Sequence, residues 1–180
     1  MALVARLKSG ETPGDRVMKV DHAGEHGAIC IYTAQIWWAQ WRAPEMLPEL
    51  HEFLVHELGH RAQFAAELQR RGKPRCRSYH LCAVGGFALG FLTGLAGRNA
   101  IAATTVAIES VVLRHMHEQL QMLDGIDTQA ADTLRRIISE EEEHHDRSAK
   151  RLGSNRGWST LIDPLVGLST EAVIWLGMRL

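Results

Sequence analysis

Along most of the chain the apolar side chains recur at three- and four-residue intervals, and no stretch keeps the strict alternation of a half-buried strand. Met18, Ile29, Tyr32 and Ile36 share one helical face, Phe53, Phe64 and Leu68 a second, and Leu134, Ile137, Ile138 and Leu152 a third. The breaks between these runs predict six helices. The first starts near Asp15, a candidate N-cap, and ends about Trp41. The second follows Ala43-Pro44 and ends near Gly72-Lys73-Pro74, which fits proline in a first turn and glycine then proline after a last one. The third is Leu81 to Gly97, and the fourth runs from about Asn99 to Leu123 before Asp124-Gly125. The fifth begins after Asp127-Thr128 and ends near Leu152-Gly153; the last begins at Asp163-Pro164 and reaches the C-terminus.

Chain reach pairs these helices. From Glu109 to the turn at Gly125 is about 14 helical residues and from Thr128 to Glu141 about 13, so at ~1.5 Å per residue a hairpin sets the two carboxylates level. The legs carrying Glu25 and Glu57 differ by only ~5 Å. Two such hairpins joined by a long connection make an all-α, ferritin-like four-helix bundle, here with an apolar crossover helix and a C-terminal helix added. Residues 1–14 form an N-terminal tail and residues 15–180 a single domain.

The connection carries no charge over the 17 residues from Leu81 to Gly97, and Gly86, Gly90 and Gly94 repeat along it as a small-residue stripe that permits close helix contact. A spanning helix needs roughly 20 apolar residues, so this segment reads either as a buried crossover or as a helix lying against a bilayer leaflet. Trp158, Leu161, Ile162, Leu165, Val166, Val173, Ile174 and Trp175 give the last helix a second greasy surface, with Arg179 suited to an interface.

On these helices the same constellation occurs twice. Glu25 precedes Glu57-Leu58-Gly59-His60, Glu109 precedes Glu141-Glu142-Glu143-His144, and one offset of 84 residues relates all three positions. In a helix, i and i+3 share a face, so each Glu-x-x-His aims a carboxylate and an imidazole at one point. A lone Glu-x-x-His on an acidic helix is an ordinary solvated face; the joint spacing and the uncharged run before Glu109 are what point to metal. Two such pairs with two single carboxylates are the ligand set of carboxylate-bridged di-iron and di-manganese bundles. Glu25, Glu57, His60, Glu109, Glu141 and His144 are the candidate ligands. Glu141 falls at the centre of the apolar face; His144 is chosen over His145 because it completes the motif. Hard oxygens with two imidazoles and no thiolate suit two iron ions, or manganese, rather than a closed zinc site. Asp21, His22 and Asp146 are candidates to orient the imidazoles.

The 180-residue length gives room for one core, and 20 basic against 21 acidic residues offer no nucleic-acid surface. Cys30, Cys76 and Cys82 are odd in number and form no Cys-x-x-Cys pair, so a reducing compartment is expected, and Met1 to Gly14 holds no long apolar run of a secretory signal. With no Gly-x-Gly-x-x-Gly dinucleotide loop, electrons must come from an external donor.

Asp21-His22-Ala23-Gly24-Glu25-His26-Gly27-Ala28 resembles the Asp-His-Ala-Gly-Glu-Tyr-Gly-Ala signature of the demethoxyubiquinone hydroxylases of ubiquinone biosynthesis. The likeness continues through Gly86-Phe87-Ala88-Leu89-Gly90, Val106-Ala107-Ile108-Glu109 and Glu140-Glu141-Glu142-Glu143-His144-His145-Asp146. It implies a ferritin-like di-iron monooxygenase, peripheral to the membrane at the cytoplasmic face of a bacterial inner membrane. That enzyme would hydroxylate the ring of a polyprenyl benzoquinol with O₂, and it would meet partner proteins of quinone synthesis or a second copy of itself. The family's ligands carry over onto the six residues above. Its His-Tyr pair reads His115-Met116 here, and Tyr32 is the candidate catalytic tyrosine in its place. Two other functions fit the ligand set: a di-metal oxidase, peroxidase or hydroxylase of another substrate, and a non-enzymatic iron-handling membrane protein.

Overall fold

In the computed structural model, which describes residues 5–153 and 156–180 and the side chains of all of these but 156, 159 and 161, six α-helices follow one another with no strand among the described residues. They are α1 (Pro13–Arg42), α2 (Leu47–Arg70), α3 (Tyr79–Ala96), α4 (Arg98–Leu123), α5 (Thr128–Leu152) and α6 (Arg156–Gly177), and a 3₁₀ turn, Pro44–Met46, leads into α2. Residues 1–4 of the tail and the Leu161 side chain lie outside the described residues.

Two helix starts differ from the sequence expectation, each for a local reason. Helix α1 begins at Pro13, because Thr12 and not Asp15 is the N-cap. The Thr12 hydroxyl accepts from the Asp15 N–H at 3.1 Å and the Asp15 carboxylate accepts from the Thr12 N–H at 2.9 Å, a reciprocal capping box. Residues before it are tied down: Arg6 N–H donates to the Met178 carbonyl at 2.9 Å, and buried Glu11 pairs with Arg16 and Lys19 at 2.6 and 2.7 Å. Helix α6 begins at Arg156, not at Asp163-Pro164, and takes Pro164 into its interior. Such a proline costs ~3 kcal/mol. Ile162 and Val166, buried against Ala100, Ala103 and Ala107 of α4, offset it by holding both sides of the proline in the core.

α1 with α2 and α4 with α5 form the two hairpins, and all four helices contribute to one apolar layer around Val17, Met18, Phe64, Met116 and Leu134. A second layer, around Tyr32, Leu50, Phe53 and Ile101, lies towards the other end. In each helix the candidate ligands fall between these layers: Glu25 lies between Met18 and Tyr32, Glu57 between Phe53 and Phe64, Glu109 between Ile101 and Met116. Each large side chain in the layers contributes ~1.5–3 kcal/mol, which is what lets the bundle hold carboxylates at its middle. Arg71 closes one end by a bidentate pair with Asp127 at 2.6 and 2.8 Å, joining the end of α2 to the cap of α5.

Helix α3 lies along α1 through its glycine stripe. A Cβ on Gly86 would meet the carbonyl of Gly27, and one on Gly90 the carbonyl of Ile31, so the two backbones touch there. The opposite side is bare: Val84 is 70% and Leu92 64% exposed. The crossover is therefore buried on one face only, and by length and composition Tyr79–Ala96 is apolar enough to cross a membrane. Gly97, at φ 91°, then turns the chain directly into α4.

Candidate metal centre

All six sequence-selected ligands are brought together and buried, none more than 5% exposed. They divide into two overlapping groups, each with ligand atoms within 4.8 Å of one another: Glu25, Glu57, His60 and Glu141, and Glu57, Glu109, Glu141 and His144. Glu57 and Glu141 belong to both groups. Each hairpin thus adds its own single carboxylate and its own imidazole to a shared carboxylate pair.

The donors converge on points rather than on each other. His60 Nδ1 lies 2.9 Å from Glu141 and 3.7 Å from Glu25, and His144 Nδ1 lies 3.3 Å from Glu57 and 3.4 Å from Glu141. Yet neither Nδ1 makes a hydrogen bond of proper geometry, and Glu57 Oε1 and Glu141 Oε2 are orphaned as well. Four buried polar atoms without partners, facing one small space, fit cations of the size and hardness of iron or manganese.

Packed this closely, the carboxyls and imidazoles shift one another's proton affinity. Burial pushes Glu25, Glu57 and Glu109 well above the usual carboxylate range, and the neighbouring Glu141 charge pushes them further. Burial would raise Glu141 too, but the His144 and His60 imidazoles outweigh it and hold that carboxyl at about 2. In return, His60 and His144 rise to about 9 against the opposing effect of burial.

The outer partners of the imidazoles are not those expected. Asp21 accepts from Gln119 at 3.1 Å, His22 stacks on Tyr79, and Asp146 sits on the surface beside His145. Asp146 follows His144 by two residues, about 200° round a helix, so it faces away. Instead His60 Nε2 meets Glu140 at 2.9 Å and His144 Nε2 meets His56 at 3.0 Å. His56 and Glu140 each stand one residue before the Glu of a Glu-x-x-His and share the 84-residue offset, so the repeat also encodes these outer partners. His145 is half-exposed while His144 is fully buried.

Tyr32 reaches the cluster edge, its hydroxyl donating to Glu109 at 3.4 Å. Met116 occupies the position expected of a tyrosine and lines a cavity of about 230 Å³. That cavity runs between α1, α3, α4 and α6 and is walled at its inner end by Glu25, Glu57, Glu109 and Glu141. Ile31, Leu89, Ile108 and Val173 make most of it apolar, and Leu81 brings it to the surface. Asp21 also lines it, its carboxyl raised to about 7 by burial despite the Gln119 bond.

Four helices that converge two buried histidines and four buried carboxylates define a ferritin-like bundle whose cluster could hold metal. Residues 13–177 match the family described as "Ubiquinone biosynthesis protein COQ7". The chain belongs to that family. It is 39% identical over 178 residues to "3-demethoxyubiquinol 3-hydroxylase" of Rhodospirillum rubrum, covering 97% of this chain and 83% of that protein. "NADPH-dependent 3-demethoxyubiquinone 3-hydroxylase, mitochondrial" of Dictyostelium discoideum is 32% identical over 169 residues, 92% of this chain and 76% of that one. The rat protein of the same name is 32% identical over 170 residues, covering 92% and 77%.

Proposed function

We propose that this chain is an oxidoreductase of ubiquinone biosynthesis that hydroxylates the ring of a polyprenyl demethoxy-benzoquinol, with O₂ as oxidant and an external reductant. The observation that carries this reading is the apolar cavity ending on the carboxylate–histidine cluster. Two iron ions are the fitting cofactor. Glu25, Glu57, His60 and Glu141 would hold one ion, and Glu57, Glu109, Glu141 and His144 the other. Bound iron supplies the O₂-activating redox chemistry that no side chain here provides.

The chain's own residues do the rest. Ile31, Leu89, Ile108 and Val173 exclude water and admit a flat ring with its prenyl tail trailing outward. Asp21, one turn from Glu25, keeps its Oδ2 unpartnered in the cavity wall and is poised to accept a hydrogen bond from a ring hydroxyl. Tyr32 steadies Glu109 through its hydroxyl, which is the role proposed for it in place of the missing tyrosine. His115 is held from the outer side by Glu171 at 2.8 Å.

The bare faces of α3 and α6, with Val84, Phe87, Leu92, Leu165, Leu168 and Trp175 exposed, support a peripheral seat on a membrane, from which a lipid-soluble quinol enters near Leu81. The cytoplasmic face of a bacterial inner membrane is the compartment this reading assigns. Iron per chain, measured together with demethoxyquinol turnover under O₂ and a reductant, tests the function. Iron without turnover would favour an iron-handling role, and turnover of other substrates without any quinol would favour a broader oxidase.

A further inference from the structure

Beside the metal centre, on the outer side of α1, lies a second cluster that the hydroxylase reading leaves unused. The Tyr79 ring stacks on His26 at 4.1 Å and 11° and on His22 at 5.0 Å and 22°. The Arg75 guanidinium covers the same ring at 4.8 Å, and Arg61 reaches His26 Nδ1 at 3.3 Å. Arg75 also meets His80 Nε2 at 3.0 Å.

Arg16, Arg71, Arg114, Arg135 and Arg147 pair with carboxylates, whereas among the described residues Arg61 and Arg75 meet imidazoles and the Tyr79 ring. A guanidinium can only donate, so His26 and His80 must accept from Arg61 and Arg75 and each keeps one further ring N–H. His22 is 8% exposed and its Nδ1 has no partner. The first turn of α3, which has no side-chain cap, adds the positive end of its dipole to the same place. Among the described residues no carboxylate pairs with Arg61 or Arg75.

We infer that Arg61, Arg75, His22, His26, His80 and Tyr79 form a seat for the phosphate of an anionic phospholipid. Phosphate is the acceptor that guanidinium forks match. The lipid source follows from position. The cluster caps the end of α3 from which exposed Leu81, Val84 and Phe87 extend, so cations and apolar surface adjoin as they do at a bilayer interface. The end of α6 closes the same region, since Gly177 packs at Ser78, and it brings an exposed Trp175 with Arg179 over its ring at 4.0 Å.

The inference leans on the hydroxylase reading only for the presence of a bilayer, and its test involves no turnover, so the two fail separately. The full chain is sedimented with vesicles of phosphatidylcholine alone, and with vesicles of equal parts phosphatidylcholine and phosphatidylglycerol. Partitioning is expected to be at least about tenfold stronger on the anionic vesicles, given several cations each worth ~1 kcal/mol near such a surface. Arg61→Gln and Arg75→Gln should each weaken it about fivefold, which is that energy per cation as a ratio. Arg135→Gln, the same charge lost on α5, should leave it unchanged. Should Arg61→Gln fail to fold by circular dichroism, Arg75→Gln on the exposed loop carries the comparison alone. Equal partitioning on both vesicles, or an equal loss with Arg135→Gln, overturns the site. Calorimetric binding of inorganic phosphate or NADPH that Arg75→Gln abolishes, with vesicle partitioning unaffected, assigns the cluster to a soluble phosphate and overturns the lipid source.

Discussion

Glu140 offers the sharpest check on the metal centre, because its one hydrogen bond is to His60. Its carboxylate lies 2.9 Å from His60 Nε2 and 3.8 Å from His56 Nδ1, and its side chain is 46% exposed. An outer partner of a ligand imidazole fixes the ring's rotation and raises its basicity, and removing one typically costs 10–100-fold in metal affinity. Water can partly replace a half-exposed carboxylate, so Glu140→Ala should fall at the low end, about tenfold. Glu140→Gln keeps an acceptor oxygen and should lose less. The control is Glu143→Ala, which deletes the same charge from the same helix but touches only Arg147, at 3.1 Å. Such an exposed i,i+4 pair is worth ~0.3–0.5 kcal/mol. Calorimetric titration of the metal-free chain with manganous ion reads all three, with circular dichroism to check the fold. If Glu140→Ala and Glu143→Ala bind metal alike, His60 is not positioned through Glu140 and the reasoning fails.

Other outcomes follow from the packing and the charges. Gly90→Val drives a side chain into the Ile31 carbonyl and should cost about 2–3 kcal/mol by overpacking, whereas Gly85→Ala, whose Cβ meets open space, should hold or raise Tm. Arg71→Ala takes the bidentate cation from Asp127, while Glu67 keeps Arg70 and Asp15 keeps Lys73, and should cost about 3 kcal/mol in a urea melt. In the metal-free protein, His60 and His144, lifted from 6.5 to about 9 by Glu141 and Glu57 against burial, contribute stability that is complete below pH 6.5 and lost as pH rises through 9. The raised Glu25, Glu57 and Glu109 act in the same direction. Metal-free Tm should therefore fall between pH 6.5 and 9, and bound divalent metal should reduce the fall; a flat metal-free profile would contradict the shifts.

Much of the fold was legible because helix ends are written in short-range chemistry. The stops at Gly72, Gly97 and Asp124 and the start after Asp127 stand within a residue or two of their expected places. The start of α6 was not legible, since what carries a helix through Pro164 is burial of Ile162 and Val166 on α4, a contact between residues far apart in the chain. The ligand positions could be read through a repeat, which encodes convergence without any knowledge of packing. Their outer partners could not be read from helix faces. Glu140 falls away from the apolar centre of α5, yet it bonds His60 because α2 lies beside that edge. Exposure of α3 was likewise undecided, because an uncharged helix with a glycine stripe reads the same whether one face or both are covered.

The density of small residues between Asp21 and Ala28 has a geometric cause. Helix α1 has to meet three neighbours within two turns. Glu25 faces the bundle centre, Asp21 and Gly24 face the cavity, and His22 and His26 face Tyr79. Ala23 packs at 0% exposure against Cys76 and Cys82, and a Cβ on Gly27 would stand 3.3 Å from the Cys82 carbonyl. Larger residues at Ala23 or Gly27 would push α3 away from α1. The cavity wall formed by Gly86 and Leu89 would then retreat from Glu25, opening the water-poor path that the chemistry needs. Ala23 and Gly27 are therefore as much a part of the site as Glu25, since they set the distance between the apolar entrance and the cluster.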